Sequence, residues 1–69
     1  MENFKLIKFR KSLGKTQDEM ANSLDVSTSF YQKIENGERN PSFNFIQKFK
    51  SKFKDVDING IFFANQLHG

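Results

Sequence analysis

The chain has 69 residues, a net charge of +3, an isoelectric point near 9.4 and a hydrophobic share of 36%. A chain of this size buries roughly 60% of its extended surface, enough for one modest core but not for an enclosed pocket of several hundred cubic ångströms as well. Cysteine is absent, which excludes disulfides, thiolate zinc sites and cysteine nucleophiles, and with His68 as the single histidine no metal or cofactor is expected.

Glycine and proline are sparse, and between them the spacing of apolar residues is helical throughout. Leu6, Phe9 and Leu13 share one face of a first helix, with Phe4 and Ile7 beside them, and Gly14 closes it. Thr16-Gln17-Asp18-Glu19 matches a capping box, in which the Thr hydroxyl accepts from the amide three residues on and Glu19 reaches back. The helix that follows carries Met20, Ala21 and Leu24. Ser27 caps a third helix with Tyr31 and Ile34, ended by Asn36-Gly37. Asn40-Pro41-Ser42 is a turn that feeds a cap at Ser42, and Phe45, Ile46, Phe49 and Phe53 form the next stripe. Asp57 caps a short last helix with Ile58, Ile61 and Phe62. The expected fold is all-α: five short helices in one compact domain over residues 1–69. The expected core is Leu6, Phe9, Leu13, Met20, Leu24, Val26, Tyr31, Ile34, Ile46, Phe49 and Phe53, with Phe62 closing its base.

The longest apolar run, Ile61-Phe62-Phe63-Ala64, is too short to span a bilayer. Lys5, Lys8, Arg10 and Lys11 have no apolar stretch behind them, so no secretory signal and a cytoplasmic location are expected. Residues 1–15 carry five positive charges and one negative, and residues 16–38 carry one positive and five negative. Residues 39–54 carry five positive charges, and residues 55–69 two negative. Basic segments flanking an acidic middle suit a polyanion held at the edges of a contact. Catalysis has no support: no Ser or Thr lies in an activating context, no Gly-rich phosphate loop is present, and Asp55 and Asp57 read as a linker and a cap.

Only Asp25-Val26-Ser27 separates the second helix, read as eight residues long, from the third, read as nine. This is helix-turn-helix spacing, with Ala21 small where two backbones approach and Val26 as an apolar plug. Thr16-Gln17-x-x-Met20-Ala21, Val26-Ser27, Ile34-Glu35-Asn36-Gly37 and Pro41-Ser42 together resemble the phage repressor and Cro type (Xre family, lambda-repressor-like) of DNA-binding domain. The resemblance runs from about Leu6 to Phe62, leaving 63–69 as a tail. On the third helix, Thr28, Ser29, Gln32, Lys33 and Asn36 fall in one polar sector roughly 140° wide, opposite Phe30, Tyr31 and Ile34. Such a face fits a major groove, where Gln pairs with adenine, Lys donates to guanine and Thr meets a thymine methyl.

The resemblance implies double-stranded DNA as partner and further roles for individual residues. Thr28, Ser29, Gln32 and Lys33 would meet bases, and Thr16, Gln17, Asn36, Arg39 and Asn40 would meet phosphates. Arg10 and Glu35 match a pair that bridges the first and third helices. Four departures stand out. Asp25 replaces the usual turn Gly, and Phe30-Tyr31 replaces a small polar residue and an aliphatic one. Lys50 stands where Ala is common, which would set the fourth helix further out, and the linker before Val56 is one residue longer than usual.

The leading reading is a sequence-specific transcriptional repressor on a palindromic operator, a homodimer because one short helix reads too few base pairs. Phe63 and Leu67, with no place in so small a core, are the expected dimer surface. The alternative is a protein-interaction module on the same fold, antitoxin-like or antirepressor-binding. Single-stranded RNA binding is a third reading, for which Phe30 is the only candidate aromatic on the presumed contact side.

Overall fold

Polar caps set where this chain starts each helix. In the computed structural model, which describes residues 2–63, the Asn3 side chain accepts from the Leu6 amide to open α1 (Phe4–Ser12). Thr16 and Glu19 complete the reciprocal capping box that opens α2 (Gln17–Ser23). Ser27 caps α3 (Thr28–Asn36) through the Phe30 amide, and Ser42 caps α4 (Phe43–Lys52) through the Phe45 amide. A fifth helical segment, α5 (Asn59–Phe63), follows. No strand occurs among the described residues, and the all-α, five-helix class holds.

Left-handed residues end the elements. Gly14 has φ +70° after α1 and Gly37 has φ +78° after α3. Asp25 sits in the α2–α3 turn at φ +56°, and it is the only described non-glycine residue with positive φ. A short polar side chain is what tolerates that conformation where glycine is absent. Lys48 of α4 donates to the Asp25 carbonyl at 3.0 Å, which ties the turn to the next helix.

Leu6, Met20, Ala21, Leu24, Tyr31, Ile34, Phe45 and Phe49 are buried, and Phe9, Val26, Ile46, Phe53 and Phe62 are half-buried around them. Aromatic rings fill most of the space between α4 and its neighbours. Phe62 meets Phe45 and Phe49 edge-on, with centroids 5.9 and 5.1 Å away, and Phe9 meets Phe53 edge-on at 5.1 Å. Such edge-to-face pairs add to the stabilisation that comes from area alone.

Several sequence expectations are corrected. Leu13 is 41% exposed and outside the core, because α1 stops at Ser12 and the turn at Gly14 leaves Leu13 at the rim. Phe45, absent from the expected core, is fully buried between Phe30, Tyr31, Phe49 and Phe62. Helix α2 has seven residues and not eight, with Thr16 and Leu24 as the single cap residues at its ends. Segment α5 is a π-helix, whose wider turn takes up one more residue than an α-turn does. Phe62 of this segment reaches the core against Phe45 and Phe49. Lys50 faces solvent, and α4 reaches the core through Phe45 and Phe49.

Candidate nucleic-acid interface

The site is built outward from a buried ion pair. Arg10 of α1 donates from Nε to Glu35 Oε2 of α3 at 2.7 Å and from Nη2 to Oε1 at 3.4 Å. The Glu35 side chain is 1% exposed and that of Arg10 11%. Nη1 of Arg10 donates to the Lys15 carbonyl at 2.9 Å and so fastens the α1–α2 loop. The first residue of α2 joins next: Gln17 Nε2 donates to Glu35 Oε1 at 2.9 Å, while Gln17 Oε1 accepts from Gln32 Nε2 at 3.1 Å. A carboxylate only accepts, so Glu35 forces Gln17 to turn its amide nitrogen inward and its oxygen outward to Gln32. Arg10, Glu35, Gln17 and Gln32 therefore form one hydrogen-bonded chain from the interior to the exposed face of α3.

Ionisation within this cluster follows from its geometry. Burial pushes the Glu35 carboxyl up, but hydrogen bonds from Arg10 and Gln17, with the Tyr31 hydroxyl close by, outweigh it and hold the group below its ordinary value. The Glu35 hydrogen bond raises the Arg10 guanidinium further above its already high value. Burial raises the Tyr31 hydroxyl well above the usual phenol range, with neighbouring Glu35 adding to the effect. That hydroxyl is buried beside Arg10 and Glu35, yet no hydrogen bond of good geometry reaches it among the described residues.

The exposed face of α3 carries Ser29, Gln32, Lys33 and Asn36, with Thr28 half-buried at its start. Thr28 is already engaged, its Oγ1 donating to Asp18 Oδ1 on α2. Thr16 is exposed and its hydroxyl caps α2, and the Asn36 amide donates to Glu38 at 3.1 Å. Arg39 lies over the Phe30 ring at 5.0 Å, and Phe30 meets Phe45 edge-on with centroids 5.8 Å apart. Phe30 is thereby half-buried between the α3–α4 loop and the core. Asn40 is exposed in the α3–α4 loop. Phe63 is half-buried with its ring 6.4 Å from Phe62, and Leu67 lies outside the described residues.

Sequence reasoning missed Asp18, whose link to Thr28 spans ten residues, and the double use of Gln17. No local pattern signals either, since each depends on how α2 and α3 cross. The charges around this face also differ from a simple basic patch: Lys33 and Arg39 are offset by Asp18 and Glu38. Lysines 5, 8, 11 and 15 lie on or just after α1, and 48, 50, 52 and 54 on or just after α4.

A helix-turn-helix with a polar face exposed on α3 defines the class of protein. The chain belongs to the helix-turn-helix family of the Xre and lambda-repressor type, whose model matches residues 6–60. The family is one of DNA-binding regulators of transcription. No curated protein and no solved structure matches the chain significantly. No described helix is long and apolar enough to cross a membrane.

Proposed function

We propose that this protein is a sequence-specific double-stranded DNA binder that represses transcription as a homodimer on a palindromic operator in the cytoplasm. The observation that carries the reading is the hydrogen-bonded chain ending at Gln32. One Nε2 proton of Gln32 goes to Gln17, which leaves its second proton and Oε1 open to solvent. Those two groups are the complement of adenine N7 and N6. The side chain is thus held in position before DNA arrives, and less rotamer entropy is lost on binding.

In this reading Thr28, Ser29, Gln32 and Lys33 meet base edges. Thr16, Gln17, Asn36, Arg39 and Asn40 meet the phosphates that set register. Gln17 takes both parts, since its backbone amide and its second Nε2 proton remain open to a phosphate. A two-fold dimer doubles the length of sequence read, which a nine-residue α3 needs.

Selection of bound duplexes from a random pool, at fixed salt, tests the proposal. The expected result is a palindromic consensus with half-sites about one helical turn apart. Gln32→Ala and Lys33→Ala should each cost about 1–3 kcal/mol on that consensus and relax one position. Equal losses on consensus and random duplexes would remove base reading from these residues, and no enrichment at all would defeat the proposal.

A further inference from the structure

Asp18 is a carboxylate on the surface of a polyanion-binding fold, and by charge alone it opposes every duplex. An acid in the first turn of α2 has an ordinary use in favouring the helix dipole. Glu19 already serves there through the capping box. Asp18 does something more: its Oδ1 accepts the Thr28 hydroxyl, joining the second residue of α2 to the first residue of α3.

That bond fixes the hydrogen-bonding character of both side chains. A threonine hydroxyl has one proton and Thr28 spends it on Asp18, so its oxygen is left as an acceptor. Asp18 keeps Oδ2, which has no partner among the described residues, and a carboxylate has only lone pairs to offer. This corner of the reading face therefore presents acceptors alone, whereas Lys33 presents donors and Gln32 one donor beside an acceptor.

We propose that Asp18 is a specificity-determining residue that reads cytosine, its Oδ2 accepting from the N4 amine in the major groove, with Thr28 as its positioning residue. The inference rests on the reading of α3 as the base-contacting helix. Protons are available on major-groove edges at two places only, cytosine N4 and adenine N6. Adenine N6 lies beside N7, an acceptor that repels a carboxylate, while cytosine N4 lies beside a C–H edge. Guanine offers N7 and O6 and thymine offers O4, so each would leave lone pairs facing lone pairs in a closed interface. The discrimination is thus repulsive as well as attractive, and it gives the unfavourable charge a use. Thr28 matters because a free aspartate on an exposed turn would rotate into solvent instead of holding its place at the groove.

The test compares wild type with Asp18→Ala and Thr28→Val, each checked by circular dichroism and thermal melting for an intact fold. Duplexes are selected from a random pool by each protein. Wild type should select a cytosine in each half-site that Asp18→Ala no longer selects, and Asp18→Ala should bind random duplex more tightly through loss of a negative charge. Thr28→Val, which keeps the shape and lacks the proton, should retain the cytosine preference in weakened form. On a duplex carrying a pyrimidin-2-one analogue without the N4 amine at that position, wild type should lose on the order of tenfold in affinity. Asp18→Ala should lose nothing. An unchanged consensus in Asp18→Ala, or equal losses by both proteins on the analogue, overturns the assignment to Asp18 and leaves α3 as the reading helix. A wild type that selects no consensus overturns both.

Discussion

Arg10 and Glu35 show how one residue pair links stability to the reading face. Removing Arg10 strands a carboxylate that is 1% exposed, and loss of one partner of a buried pair costs about 3–5 kcal/mol. A chain this short is expected to have only about 3–10 kcal/mol in total. Arg10→Ala should therefore melt far below the wild type, while Arg10→Met with Glu35→Leu should recover much of the loss. The recovered protein should still bind DNA less specifically, because Gln17 no longer has a carboxylate to orient it. The pH dependence follows from the same pair. The Glu35 carboxyl is depressed below its ordinary value of 4.5, so its stabilisation is full above that pH and is lost as pH falls through the lower, folded value. Melting temperature should be flat from neutrality to about pH 5 and drop below pH 4.5. Glu35→Gln should lack most of that acid step. Exposed Glu19, lowered by its bond from the Thr16 backbone amide, keeps only a small share. Gln17→Ala should weaken binding to all duplexes through the lost phosphate contact and also blur the adenine preference through Gln32. A loss confined to the phosphate component, with base preference intact, would show that Gln32 needs no support.

At the scale of elements, the ends of helices carry more of the design than their middles. Gly14 shows how much of a glycine requirement is backbone and how much is space. Its φ is +70°, and a Cβ built there meets nothing within 4 Å. Gly14→Ala should cost only the left-handed strain, about 1 kcal/mol, and Gly14→Asn clearly less. Urea melts of the two variants separate these values, and a much larger loss for alanine would mean that the loop cannot move aside as the open space implies. The last element acts through a side chain: Phe62 of α5 meets Phe45 and Phe49 edge-on and closes the base of the core.

At the scale of the molecule, most of the lysines lie on or just after α1 and α4, and α3 itself carries only Lys33. Attraction to a duplex is then general, while the face itself is nearly balanced between Lys33 and Arg39 on one side and Asp18 and Glu38 on the other. Binding should consequently owe more to base matching than the isoelectric point implies. The proposed dimer belongs to this scale too. Phe63 is half-buried and packs beside Phe62, leaving part of its ring for a self-complementary contact. Phe63→Asp should keep the helical signal, sediment as a monomer, and lose operator affinity far more than affinity for one half-site. An unchanged dimer would place the interface elsewhere, and a monomeric wild type at high concentration would remove the dimer from the proposal.

The helices, their order and their caps were legible in the sequence because the forces that set them are local. A serine hydroxyl three residues from an amide, a glycine after Asn36, and apolar residues spaced at three and four all act within one or two turns. The helix-turn-helix was legible for the same reason, as a short turn between two such segments, while only the resemblance, which sets glycine where Asp25 stands, pointed to a left-handed residue there. What the tertiary structure alone decided involves residues brought together from afar. Leu13 and Phe45 carry similar apolar signals, yet one sits at a rim and the other at the centre, because burial depends on which helices cover a face. Gln17 and Asp18 are neighbours in a capping segment, and nothing in that segment says that one will bond Glu35 and Gln32 and the other Thr28. Those bonds exist only because α2 crosses α3 at its first turn, and the crossing is a consequence of the whole core closing.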